Sequence, residues 1–249
     1  VKLELFPVTG LPEVAAGDDL TELLCTALAA TGETLARGDI LVITQKIVSK
    51  AEGRVVALAD VTVSPFAEQW AASSGIDARV VELVLRESRR VVRMDRGVLI
   101  TETRHGFVCA NAGVDLSNGA QGEAAILLPV DPDRSAEQLH RALVRRTGVP
   151  LGVIVSDTFG RPWREGLTNV AIGSAGVAPL ESYVGVRDPQ GLELRATIHA
   201  TVDEIAAAAG LVSTKLNRVP AVVVRGLERH LGSGNAQELV RAPGRDMFR

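Results

Sequence analysis

The chain has 249 residues, 46% of them hydrophobic, 23% charged and 3% aromatic, with 24 Gly and 11 Pro. That much apolar content excludes a disordered chain, and at roughly 100–200 residues per domain it predicts one large domain over 1–249 or two modest lobes with no boundary visible between them. A formal net charge of −3 with four His argues against a nucleic-acid or membrane-surface binder, so an anionic ligand has to be gripped locally. Two cysteines, Cys25 and Cys109, cannot build a disulfide framework or a zinc cluster and read as small buried hydrophobes of a reducing cytoplasm. There is no apolar run of about 18–20 residues and no signal-like amino terminus, which predicts a soluble intracellular protein.

Val1–Thr9 alternates apolar and polar residues as a strand does, until Gly10-Leu11-Pro12-Glu13 breaks it. Asp18 or Asp19 caps a helix through Leu20, Leu23, Leu24 and Ala27 that ends near Gly32. Ile40–Thr44 reads as a short buried strand. Gln45-Lys46-Ile47-Val48-Ser49-Lys50 follows, and it holds two of the four lysines in a chain with 23 arginines. A compact ammonium suits phosphoryl oxygens, and a solvated loop or helix face explains the same pair. Val80–Val92 has helical apolar spacing, with Arg86, Arg89 and Arg90 on its polar side. Leu99–Thr101 and Gly106–Ala110 predict a hairpin.

Gly113-Val114-Asp115-Leu116-Ser117-Asn118 reads either as an acid-bearing loop or as ordinary turn chemistry. Ser135-Ala136-Glu137-Gln138 predicts a capping box that starts a helix ending at Gly148, with His140 on its solvated side. Leu151–Ser156 is a buried strand that delivers Asp157-Thr158-Phe159-Gly160-Arg161 to a turn. Asp157 and Thr158 there are hard oxygen donors suited to Mg²⁺ or Mn²⁺, or else an Asx turn or helix cap closed by Gly160. Arg161 and Arg164 supply forks for phosphate or carboxylate. Thr201–Val212 is an alanine-rich helix and Ala221–Val224 a third apolar strand. Glu102, Arg104, Tyr183, Arg187 and Asp188 are polar groups near turns, available to a substrate or to the fold. Strands mix with helices without regular βα spacing, which predicts an α+β fold with mixed sheets. No P-loop, dinucleotide fingerprint, Gly-x-Ser-x-Gly elbow or His-Glu-x-x-His pair is present.

Six ordered blocks resemble the coenzyme F420-0:L-glutamate ligase (γ-glutamyl ligase) family. They are Gly10–Glu13, Val42–Lys50, Ile100–Arg104, Gly113–Asn118, Ser156–Arg164 and Gly185–Asp188. The resemblance implies an α+β fold of two interleaved lobes in an intertwined homodimer. It implies a GTP- and divalent-metal-dependent ligase that adds L-glutamate to the lactyl carboxylate of the deazaflavin precursor F420-0, then further glutamates by γ-linkage. By the same resemblance GTP lies against Leu11, Pro12, Glu13, Val14, Gln45, Lys50 and Asn118, and Mg²⁺ or Mn²⁺ is held by Asp115, Asp157 and Thr158. Asp115, Asp157 and Lys50 become the catalytic set. Some relatives carry Met-Gly and then Gln or Glu after the helix Thr201–Val212, which helps bind a second metal. Here Ser213-Thr214-Lys215 stands there, so that ion is held differently or Lys215 meets phosphate. In some relatives a flavin-binding nitroreductase-like domain follows, which makes a fused or separate domain of that kind an expected partner. The alternatives are a related phosphoryl-transfer ligase for another acid, and a non-catalytic nucleotide- or deazaflavin-binding module.

Overall fold

A computed structural model describes residues 2–116 and 123–246. In chain order the strands and helices are β1 (Glu4–Pro7), α1 (Leu20–Ala30), β2 (Ile40–Thr44), α2 (Gln45–Ala51), β3 (Val55–Ala57), α3 (Pro65–Ser74) and α4 (Ala78–Arg86). Then come β4 (Ser88–Asp95), β5 (Val98–Thr103), β6 (Val108–Ala110), β7 (Ala124–Ile126), α5 (Pro132–Thr147) and β8 (Gly152–Arg161). The chain continues with β9 (Arg164–Ala175), β10 (Glu181–Ser182), β11 (Ile198–His199), α6 (Thr201–Gly210) and β12 (Ala221–Arg225).

The main sheet runs β1-β12-β2-β8-β9. Only β2 and β8 pair in parallel within it, from Ile40 opposite Gly152 to Thr44 opposite Ser156; its other pairs are antiparallel. That mixture makes the fold α+β. Both faces of this sheet are covered, which explains the unbroken apolar run Ile40–Ile43: successive side chains alternate between two cores. Leu41 and Ile43 join Val153, Val155, Leu24 and Leu143 under α1 and α5. Ile40 and Val42 join Ile154, Val222, Ile205 and Ala206 under α6. A third core, with Leu58, Val81, Val84, Leu99 and Leu127, holds α3 and α4 against the three-stranded sheet β4-β5-β6.

The caps show where local chemistry was readable. Asp19 accepts from the amides of Thr21 and Glu22 at the start of α1, as its position predicts. Gly148 closes α5 in the left-handed region, at φ 72°. Three expectations change. α4 ends at Arg86, and residues 88–95 form a strand instead of extending the helix. Arg86 pairs with Glu82 on the helix, whereas Arg89 and Arg90 reach across to Glu102 of β5. The β-branched pair Val91-Val92 sits in that ladder. The α5 cap is Asp131, with Pro132 at the first helical position, and Ser135 lies one turn inside, donating to the Asp131 carbonyl and to Glu52. A capping box exists instead at Asn235 and Glu238.

The third change concerns His140, which is half-buried and bonds to the Leu151 carbonyl. Burial lowers its pKa below the ordinary imidazole value. The fold therefore favours neutral imidazole, and the stability this lends is complete above the unfolded value near 6.5 and lost as pH falls toward the lowered folded value. We expect a fall in melting temperature between pH 7 and 5 that is shallower in His140→Gln, measured by circular dichroism.

Candidate active site

The parallel pair positions the chemistry. β2 ends at Thr44 and α2 starts at the next residue, so Gln45 and Lys46 stand just past the carboxyl end of β2. On the neighbouring strand Ser156 lies opposite Thr44, and Asp157 follows it. Asp157 and Thr158 are thus at the end of the β2–β8 ladder but not in a turn. β8 runs on against β9, with Asp157 opposite Val170 and Thr158 opposite Asn169. This corrects the expected turn. It also carries Arg161 and Arg164 to an exposed hairpin tip, four or more residues or about 13 Å along the strand from Asp157. Arg161 donates there to the Glu165 carbonyl.

Asp115 is fixed by backbone bonds in both directions with Ile126. Its Oδ2 lies 2.7 Å from Lys46 Nζ. Burial pushes the Asp157 carboxyl up to about 6, its bond from the Thr158 amide opposes this, the Asp115 charge raises it further, and Lys215 and Lys46 pull it down. Two carboxylates and two ammonium groups therefore share one electrostatic neighbourhood. The Thr158 hydroxyl donates to Asn169 Oδ1 at 2.9 Å, which leaves its lone pairs for another partner. Burial pushes the Cys109 thiol up to about 12, and the Asp157 charge adds to the shift.

Of the nucleotide residues expected from the resemblance, Glu13 and Lys50 meet beside α2. Lys50, one helical turn from Lys46, pairs with Glu13; its side chain is 12% exposed and that of Glu13 85%. This pair ties Leu11–Val14 to the helix, with Val14 buried and Pro12 exposed. Gln45 is 1% exposed. Its Oε1 accepts from Ser49 at 2.9 Å, while its Nε2 has no partner among the described residues. Asn118 lies outside the described residues.

The donor set suits a hard divalent cation. Among the described residues no three His, Cys, Asp or Glu side chains cluster as a metal site. Mg²⁺ and Mn²⁺ do not need three, since they keep waters and share phosphate oxygens. Asp115 and Asp157 supply carboxylate oxygens and Thr158 a hydroxyl. A cation held by these residues would offset the Asp115 charge that helps to raise Asp157.

Lys46 was visible in the sequence as half of a scarce pair, but its partner Asp115, 69 positions on, was not. Asn169 carried no signal, because its contact with Thr158 depends on the β8–β9 register. Three of the other polar candidates make bonds within the fold. Glu102 is buried under Arg90. Asp188 accepts from the amides of Gln190 and Leu192, and Arg187 donates to the Gly191 carbonyl, so both shape one turn.

Two acids, a hydroxyl and two lysines thus form a mixed-charge cluster near the end of a parallel strand pair on an α+β scaffold. Residues 10–226 match the model of the F420-0:gamma-glutamyl ligase family. The chain is 47% identical over 250 residues to the coenzyme F420:L-glutamate ligase of Methanothermobacter thermautotrophicus, covering 99% of each chain. It is 47% identical over 252 residues to the enzyme of that name from Methanopyrus kandleri, covering 99% of this chain and 98% of the relative. It is 40% identical to the one from Archaeoglobus fulgidus, covering 100% and 97%. The chain belongs to the F420-0:gamma-glutamyl ligase family. Among the described residues no helix is long and apolar enough to cross a membrane.

Proposed function

We propose that this chain ligates L-glutamate to F420-0 at the expense of GTP, and then adds further glutamates through γ-linkages. The observation that carries the reading is the convergence of Asp115, Asp157 and Thr158 with Lys46 and, along α2, with Gln45 and Lys50. A carboxylate is a poor electrophile, so amide formation needs it activated. A carboxylate oxygen of F420-0 attacks the γ-phosphorus of GTP, the bond to the β–γ bridging oxygen breaks, and GDP leaves. The amine of glutamate, having lost a proton, attacks the acyl carbon of the resulting acyl phosphate, and inorganic phosphate leaves with the electrons of the C–O bond.

Asp115, Asp157 and Thr158 would hold Mg²⁺ or Mn²⁺, which neutralises charge developing on the phosphoryl oxygens. Lys50 steadies the nucleotide phosphates, releasing Glu13 to solvent. Lys46 keeps Asp115 in place and adds a positive charge beside the reacting anions. Gln45 offers its unpaired amide to the nucleotide. We also take the working form to be a homodimer, a reading supported by the apolar side chains Trp163, Leu167, Leu192 and Ile198 exposed on its projecting hairpins.

The test is mass spectrometry of F420-0 incubated with the protein, L-glutamate, GTP and Mn²⁺ or Mg²⁺, with each component omitted in turn. Glutamyl additions confined to the complete mixture support the reading. GDP formed without additions means another acid is the substrate, and unchanged GTP overturns the reading. Lys50→Met should raise KM for GTP about 10–100-fold, the worth of a charge-assisted hydrogen bond, while KM for glutamate stays within about twofold.

A further inference from the structure

A cavity of about 960 Å³ opens between the amino-terminal turn of α5, the β5–β6 turn and residues 232–237. Asp131, Asp133 and Glu137 line it together with Arg134 and Arg141, whereas Asp115, Asp157, Lys46 and Lys50 do not. We propose that this cavity holds the deazaflavin substrate, with the ring system against Phe107 and the anionic tail directed toward Asp157. The proposal rests on the ligase reading and adds to it the place of the acid substrate.

Size is the first argument. Pockets of roughly 300–1,000 Å³ accept drug-sized ligands, so this one is far larger than glutamate needs and matches a fused aromatic ring with a polyol phosphate tail.

The second argument is where the aromatic residues lie. In a chain with 3% aromatics, His105 and Phe107 stack at 5.7 Å and 26°, and Phe107 meets Phe159 edge-on at 6.3 Å. Phe107 lines the cavity and also a smaller hollow of about 260 Å³ whose wall includes Phe159 and Val170. Val170 is the cross-strand partner of Asp157. Phe159 lies two residues past Asp157, on the same face of β8. Two residues of extended backbone, about 7 Å, separate Asp157 from Phe159, and Phe107 on the cavity wall lies a further 6.3 Å from Phe159, a span within reach of an extended polyol phosphate tail.

Polar atoms left over in the fold supply the third argument. Ser174 lines the cavity and is 2% exposed, yet its hydroxyl has no partner among the described residues. His105 Nε2 faces the carbonyls of Pro129 and Val130 at 3.0 and 3.1 Å, so it carries the ring proton. That leaves Nδ1 as a buried acceptor, also without a partner among the described residues. A polyol supplies a donor and an acceptor to such atoms, which hydrocarbon cannot. Arg134 lines the cavity with no ion pair among the described residues and suits the phosphodiester.

The test uses the chromophore of F420-0. The full chain is titrated with F420-0, without GTP or glutamate so that no turnover occurs, and binding is read by fluorescence quenching. Phe107→Leu should weaken binding at least tenfold, and Ser174→Ala and Arg134→Ala about threefold to tenfold, with KM for GTP unchanged. Ser174→Ala is the cleanest variant, because a hydroxyl without partners contributes nothing to the fold that alanine would lose; circular dichroism verifies folding in each. If the wild type ligates F420-0 but Ser174→Ala and Arg134→Ala bind it as tightly as the wild type, the cavity is not the site and the ligase reading stands. If the wild type neither binds nor ligates F420-0, the ligase reading fails and the proposal with it.

Discussion

Asp157→Asn is expected to lower GDP release and product formation by about 10³-fold or more while leaving the fold intact. The two halves of that expectation have separate causes. Asparagine keeps the carbonyl oxygen that accepts from the Thr158 amide at 2.8 Å, so the local backbone bond survives. It also removes a charge that burial and Asp115 both disfavour, so the melting temperature should hold or rise. Activity falls because a neutral amide is a poor donor to a hard cation and leaves charge on the transferring phosphoryl group uncompensated. Phosphate release and mass spectrometry measure the loss, and a variant with more than a tenth of wild-type turnover would remove Asp157 from the reaction.

Arg225→Leu should destabilise the protein by about 3 kcal/mol, lowering the melting temperature by roughly 10 °C. Asp39 is 0% exposed. Arg225 meets it with two bonds of 2.8 Å, from Nε to Oδ1 and from Nη2 to Oδ2, and the Ala36 amide supplies a third. Leucine leaves a buried carboxylate with one amide for company. It also removes the guanidinium held 4.9 Å over the Phe6 ring. Arg225→Lys should recover only part of the loss, since an ammonium cannot make the two-pronged contact. Thermal denaturation followed by circular dichroism decides both.

What the sequence made legible was mostly local. The runs Ile40–Thr44, Leu151–Ser156 and Ala221–Val224 announce buried strands because each is apolar on both faces, and the Asp19 and Gly148 caps follow from side-chain chemistry within a turn. Long-range register was not legible. Arg89 and Arg90 fit the polar side of a helix as well as they fit a strand, and only the distant partner Glu102 resolves the choice. At the candidate site the residues were named one by one, from acid and lysine chemistry and from the family resemblance. Their meeting depends on Thr44 pairing with Ser156, 112 positions apart, and on the pairing of Asp115 with Ile126. No local pattern encodes either.

The strand order has a consequence for how the protein is made. β12 lies between β1 and β2 and is antiparallel to both. β1 and β2, made well before β12, are therefore not neighbours in the sheet, which stays open until residue 225 has emerged. Arg225 closes that strand, so Asp39 waits through most of synthesis for its cation. During translation the edge of β2 that β12 will cover stays unpaired, a stage at which a chaperone or a neighbouring nascent chain can occupy it. A transcript cut short before Ala221 thus yields a species in which β1 has no strand to pair with and the acidic core residue no counter-ion, rather than a slightly smaller enzyme.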